Sequence, residues 1–174
     1  MPPNLTRRMA LQRLLGSAAA LGLSGCGYSL RAPYDTNIRT VYVPMFTSVT
    51  FRRDVNLMLT EAVVKEIGRR TPYHVVGTPD GADTTLNGTI NWSDKNIVMP
   101  SPYNLPRQLS AMLISTVTWT DNTVKPEDRK NTNPSVVQEM FNFYPEIGDT
   151  AQEAFYKCCD KMAIQIVNMM EEPW

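Results

Sequence analysis

The chain has a single histidine, His74, and nothing around it that would make a catalytic or metal-binding set. Beside Val75 and Val76 on a short β-branched run, it has the setting of a packed or edge residue of a strand rather than of a proton carrier. No Gly-x-Ser-x-Gly elbow is present, so the strained turn that exposes a hydrolase serine is missing, and no pair of acids is spaced for acid–base work. The three cysteines form no Cys-x-x-Cys and no metal-ligand spacing. These absences speak against an enzyme and imply no cofactor. Positive charge is not in excess either: Lys+Arg and Asp+Glu stand at 17 each, which does not suggest a nucleic-acid partner. No apolar run reaches the roughly 20 residues with which a helix crosses a bilayer. Internal repeats and low-complexity tracts are lacking too.

What is present begins at the N-terminus. Arg7, Arg8 and Arg13 precede an Ala/Leu-rich run from Leu14 to Leu23 with no acid among them, the layout of a secretory signal. The run ends in Leu23-Ser24-Gly25-Cys26, which resembles the lipobox of bacterial lipoproteins. By that resemblance residues 1–25 are the signal peptide, Leu23, Ser24 and Gly25 flank the cleavage site, and Cys26 becomes the new N-terminus. Its sulfur takes diacylglycerol in thioether linkage and its amine takes a third chain. Two or three acyl chains at about 0.8 kcal/mol per buried methylene hold a protein on a membrane far better than one. Gly27, in the second mature position, resembles the sorting pattern for the outer membrane. Thr6-Arg7-Arg8-Met9-Ala10-Leu11 is similar to a twin-arginine export motif but departs from it at Ala10 and Gln12, so that route and general secretion both stand open. Removal of the three arginines leaves 14 basic against 17 acidic side chains.

Residues 26–37, with Pro33, read as a lipid-anchored spacer, and residues 38–174 as one periplasmic domain, a size that buries roughly 70% of the unfolded surface. Ile38 to Val43 is β-branched and aromatic, a strand stopped by Pro44. A loop from Met45 to Thr50 leads to a helix over about 51–67, with Val55, Leu59, Ala62, Val63 and Ile67 as its apolar stripe and Arg52, Glu61 and Lys65 opposite. Asp54 at its start and Arg69 and Arg70 at its end suit the helix dipole. Residues 73–76 make a second short strand. Thr84, Leu86, Gly88, Ile90 and Trp92 then alternate with Thr85, Asn87, Thr89 and Asn91. Leu109, Ala111, Leu113, Val117 and Trp119 alternate with Gln108, Ser110, Thr116 and Thr118, while Met112 and Ile114 interrupt the polar side. Two long antiparallel strands over about 84–98 and 107–120 follow from this period of two. A loop at 99–106 joins them and an excursion at 121–134 leaves them. Val136 to Phe143 has the composition of a further strand. Thr150-Ala151-Gln152-Glu153 has the form of a capping box and opens a helix to about Glu171 striped by Ala154, Phe155, Cys158, Met162, Ile166 and Met169.

On such a helix Cys158 and Cys159 point about 100° apart and do not bridge each other; they read as small core residues, with an intermolecular disulfide as the other reading. Met162, Met169 and Met170 read as core filling rather than as an adaptable groove. The expected fold is α+β, a two-layer sandwich with two helices on one face of a mixed four- to five-stranded sheet. Its other face, which carries Thr85, Asn87, Thr89, Gln108 and Thr118, stays uncovered and offers both a surface and edges to a partner.

The ordered set of lipobox, Cys26-Gly27-Tyr28, the strand exit Val41-Tyr42-Val43-Pro44-Met45-Phe46, the helix from Arg52 to Arg70, the strand start Ala82-Asp83-Thr84-Thr85-Leu86-Asn87-Gly88 and Pro145-Glu146-Ile147-Gly148 resembles the outer-membrane LPS-assembly lipoproteins, the LptE family. The resemblance implies a non-catalytic plug inside a large LptD-like outer-membrane β-barrel, the pair inserting lipopolysaccharide into the outer leaflet. In that setting Asn87, Thr89 and Thr118 are candidate partner-facing residues. Lipopolysaccharide itself is a further implied contact, but Arg107, Lys95 and Lys125 match no motif position of the family and none is carried over. The strand-proline-phenylalanine-helix-strand start also looks like the periplasmic domains of lipoproteins that secrete curli or activate cell-wall synthases, which is the alternative reading.

The lipobox yields a direct test. Cys26→Ser is expected to accumulate as precursor, or as protein that takes up no radioactive palmitate, because without sulfur the thioether cannot form; normal labelling of the variant would show that the anchor lies elsewhere.

Overall fold

The chain divides into two compact units, Met1–Ala32 and Pro33–Trp174. The computed structural model describes residues 34–52, 54–100, 106–124 and 134–171, all in the second unit. The signal segment, the cleavage flank, Cys26, Lys125 and the tips of both long loops lie outside the described residues.

β1 (Thr40–Tyr42) and β2 (Thr47–Ser48) are followed by α1 (Asp54–Arg70), β3 (His74–Val76), β4 (Thr84–Met99), β5 (Gln108–Asp121), β6 (Ser135–Phe143), a 3-10 turn at Pro145–Ile147, and α2 (Ala151–Asn168). The strands lie in the order β3-β1-β4-β5-β6, with β2 beside β4 as a sixth member. β1 runs parallel to β3 and β4, and β2 parallel to β4, whereas β4, β5 and β6 form an antiparallel meander. The sheet is therefore mixed, as the sequence implied. β1, α1 and β3 supply its parallel part through a helical crossover, the connection that parallel neighbours require.

β1 and β2 are two pieces of what would otherwise be one strand alongside β4. Pro44 has no N–H to give to the ladder, and the backbone resumes pairing only at Thr47, opposite Thr89. In the gap, Phe46 turns inward and its ring covers Gly88; a Cβ built on Gly88 would meet Phe46 Cε2 at 2.3 Å. Here the glycine serves close approach of another group rather than a special backbone angle. The Phe46 N–H is held by Thr60 Oγ1 at 3.0 Å, and Thr60 Oγ1 itself donates to Asn56 O at 2.7 Å. The connection is thus sewn to the second turn of α1. A two-residue strand without alternation carries no period, which is why the sequence reads as a loop there.

Both helices lie on one face. Val55, Leu59, Val63 and Ile67 of α1, Phe155, Cys158, Met162 and Ile166 of α2, and Met170 just past the end of α2 enter a core shared with Leu86, Ile90, Ala111, Leu113 and Val117 from the sheet. The expected stripes line this core, with Ala62 and Met169 only partly buried at its margin and Met162 and Met170 fully buried. Arg52 beside Phe155 (4.5 Å to the ring centroid) and Arg70 beside Glu171 (3.1 Å) bring the two helix starts together and the two helix ends together, so the helices run parallel. Thr150 caps α2 by accepting the Glu153 N–H at 3.2 Å, but the Glu153 carboxylate turns to Lys157 at 2.8 Å instead of back to the cap. Only half of the capping box is formed.

Cys158 and Cys159 are free and buried. Burial pushes the Cys158 thiol up to about 11 and that of Cys159 up to about 12, and Cys158 donates its S–H to Ala111 O at 3.5 Å. Neutral and enclosed, they serve as small apolar side chains. Tyr34 already belongs to the core, edge-on to Tyr73 with ring centroids 5.8 Å apart, and its hydroxyl donates to Glu171 at 3.3 Å.

One residue, Asp83, joins three strands through its carboxylate and its main chain. Asp83 Oδ2 accepts the N–H groups of Arg39 (2.8 Å) and Thr40 (2.9 Å), the Asp83 N–H is accepted by Thr40 Oγ1 (2.9 Å), and the Asn122 N–H is accepted by Asp83 O (2.8 Å). The bonds from Arg39 and then Thr40 hold its carboxyl below the ordinary aspartate range.

Two measurements check these joints. Gly88→Ala is expected to cost about 1–3 kcal/mol by overpacking against the Phe46 ring, against less than about 0.5 kcal/mol for exposed Lys65→Ala; equal denaturation midpoints would remove the close contact. Because the Asp83 carboxyl is depressed on folding, the stability it contributes is fully present above about pH 3.9, the unfolded value, and is lost as pH falls through the lowered folded value. Asp83→Asn should therefore flatten the acid limb of a pH–stability curve, and a limb parallel to that of the unmodified protein would refute the assignment.

Candidate partner-binding face

The register of the meander decides which side chains the helices leave uncovered. Thr85 lies opposite Thr120, Asn87 opposite Thr118 and Thr89 opposite Thr116 on the helix-free face, while Leu86 opposite Trp119 and Gly88 opposite Val117 lie toward the helices. The three sequence candidates therefore share one face: Asn87 and Thr118 are a direct cross-strand pair and Thr89 follows two residues on. Gln108 lies on the same face further along the ribbon. Hydroxyl and amide groups bond among themselves there. Thr47 and Thr89 share a hydrogen bond at 2.9 Å, Asn91 Nδ2 donates to Thr116 Oγ1, and Asn122 Nδ2 donates to Thr85 Oγ1 at 2.8 Å.

Trp92 departs from the expected pattern. Simple alternation puts it on the side of Leu86 and Ile90, inside the core. The pairing shifts between Ile90, opposite Ser115, and Trp92, opposite Ile114. This bulge inserts one extra residue, so Asn91 and Trp92 both point away from the helices and the indole is 52% exposed. Beyond the bulge Ser93 faces Leu113 and Lys95 faces Ala111 on the helix side, and a second shift between Ile97 and Met99 closes the strand. A period-two reading has no way to locate a bulge.

The same register explains Met112 and Ile114, which interrupt the polar side of β5. Met112 lies between Asp94 on β4 and Met140 on β6, and Ile114 between Trp92 and Gln138. Val136, opposite Thr116, completes the set and, like Met140, is largely exposed. The uncovered face thus has a zone of threonine and asparagine toward the start of β4 and an apolar band across its middle. Met112 and Ile114 were the sequence signal for that band; Trp92, Val136 and Met140 could not be added without the register.

The basic residues near the hairpin do not converge on this face. Arg107 sits beside Glu146 at 3.7 Å with both side chains more than half exposed, an arrangement of little energetic weight, and Lys95 is on the helix side of β4. His74 is exposed on the edge strand β3. Among the described residues no group of three or more His, Cys, Asp or Glu could hold a metal ion, and no described helix is long and apolar enough to cross a membrane.

Comparison with solved structures supplies the fold's relatives. The chain is similar to an uncharacterised lipoprotein B from Nitrosomonas europaea, with 15% identity over 84% of this chain and 91% of that one and a TM-score of 0.53. It is similar to the PelC dodecamer subunit from Paraburkholderia phytofirmans, at 8% identity, 85% and 100% coverage and a TM-score of 0.54. Rare lipoprotein B from Shewanella oneidensis matches at 10% identity, 76% and 93% coverage and a TM-score of 0.50. At such identities the likeness is one of fold. No curated protein matches the sequence. A family model does match, however, over residues 38–170, from the residues that lead into β1 to the end of α2. Since that span takes in both layers and the whole of the uncovered face, the chain belongs to the LptE lipopolysaccharide-assembly family.

Proposed function

We propose that this protein is an outer-membrane lipoprotein, anchored on the periplasmic side through acylated Cys26, that acts as plug and assembly partner of the LptD-like β-barrel that inserts lipopolysaccharide into the outer leaflet. The family match across the domain carries the reading. The geometry gives it a physical form. A sheet backed by two helices on one side only leaves a broad, helix-free face, and barrel lumens of the outer membrane are lined by polar side chains that suit threonine and asparagine. The role needs binding and no chemistry. Lipid attachment raises the local concentration of the domain at the barrel mouth without adding a contact to the complex, so an unacylated domain binds the same partner more weakly.

Photo-crosslinking side chains at Asn87, Thr89 and Thr118 in living cells are expected to capture one large outer-membrane β-barrel, whereas the same probe at Leu59, which is fully buried, captures nothing. Three silent surface probes in a folded, exported protein would overturn the plug, and capture of a cell-wall synthase would replace it with the activator reading.

A further inference from the structure

Among the described residues of β4, β5 and β6 that the register puts on the uncovered face, Asp94 alone is charged. Faces meant for water carry charges of both signs, and edges and exposed strands are guarded by them. Depletion of charge together with exposed tryptophan and methionine is instead the composition of the centre of a protein interface. Trp92 is 52% exposed, Val136 69% and Met140 53%; with Met112 and Ile114 between them they form an apolar band that reaches across three strands and flanks Gln138 on β6.

We propose that this band is the dry centre of the contact with the barrel, and that the part of the barrel wall opposite it carries an apolar, uncharged strip of side chains with one basic or N–H-donating group for Asp94. The inference rests on the plug reading and revises it locally, since a wholly polar wall would leave the band unmatched.

Three observations select a protein wall as occupant. The band lies on a sheet face, and a sheet face is matched by another sheet packed about 10 Å away, which a barrel wall is. The hydroxyl and amide groups on both sides of it, among them Asn87, Thr118, Asn96 and Asn142, need directional partners, and a hydrocarbon chain would leave them unsatisfied. Asp94, opposite Met112, repels the phosphates of an anionic lipid. It also disfavours a second copy of this chain, because stacking two such faces would bury two carboxylates with no cation on either β4–β6 surface.

The test uses the full-length lipidated protein in its own membranes. Met140→Lys and Trp92→Ala are each expected to lower recovery of the barrel with the tagged protein about tenfold, as truncation of an interface anchor does, whereas Thr120→Ser, in the polar zone, stays within about twofold. Both side chains are half exposed, so thermal unfolding of the solubilised variants should match the unmodified protein, and a probe at Asn87 reports whether the complex exists at all. Capture at Asn87 together with undiminished recovery of Met140→Lys and Trp92→Ala overturns the band while leaving the plug intact. Silence at Asn87, Thr89 and Thr118 removes the plug and the band with it. Unchanged barrel recovery combined with loss of self-association in sedimentation would assign the band to a second copy, and combined with loss of lipopolysaccharide binding would assign it to acyl chains; either result overturns the proposal.

Discussion

The Phe46 ring can occupy its place only because residue 88 has no Cβ, and much of the domain's geometry depends on that contact. With the ring inside, the chain leaves β1, skips over Pro44 and regains the sheet at Thr47, opposite Thr89 and so one strand position from the glycine that the ring covers. The Phe46 N–H is then in reach of Thr60, which fixes where α1 begins its descent across the sheet. α1 in turn sets α2 beside it. Two separate stretches of sequence, one around Pro44 and one around Gly88, are therefore a single joint in the folded protein, and the family resemblance drawn from both has a physical basis.

The long elements were legible because burial imposes a period. β4, β5, α1 and α2 each bury one side against the other layer, and Leu113, Val117, Leu59 and Ile166 recur at the spacing that this demands. What could not be read was whatever breaks a period or has none. β2 is two residues long, and the extra residue before Trp92 reverses the side on which every later residue of β4 falls. The Glu153 side chain prefers Lys157 to the cap, a choice between two partners of similar reach that the four-residue motif does not encode. The candidate face was half legible. Asn87, Thr89 and Thr118 follow from alternation alone, but the apolar band needs the pairing of β6, whose faces the sequence left undefined.

Electrostatics in this domain is local. Arg70 lies 3.7 Å from Glu66 and 3.1 Å from Glu171, and the Tyr34 hydroxyl donates to the same Glu171 carboxylate, so this guanidinium–carboxylate pair ties together the end of α1, the segment after α2 and Tyr34. α2 has no basic residue in its last turn, and the arginine of its parallel neighbour stands in for one at that end. Burial pushes the Tyr34 hydroxyl upward in pKa, with the Glu171 carboxylate adding to the effect, which keeps it a hydrogen-bond donor across the ordinary pH range.

The bulge at Asn91 also fixes where β4 can change in length. Asn91 and Trp92 point the same way, so removing Asn91 alone would restore plain alternation and leave Ser93, Lys95 and Trp92 on their present sides. Removing Ser93 instead would turn the distal half of the strand over, carrying Asp94 toward the helices and Lys95 onto the uncovered face. Val98, between the paired residues Ile97 and Met99, has the same dispensable position as Asn91. Within a strand of 16 residues, loss of a single codon is thus compatible with the two-sided character of the sheet at these two places, and between them it exchanges the inside of the protein for the outside.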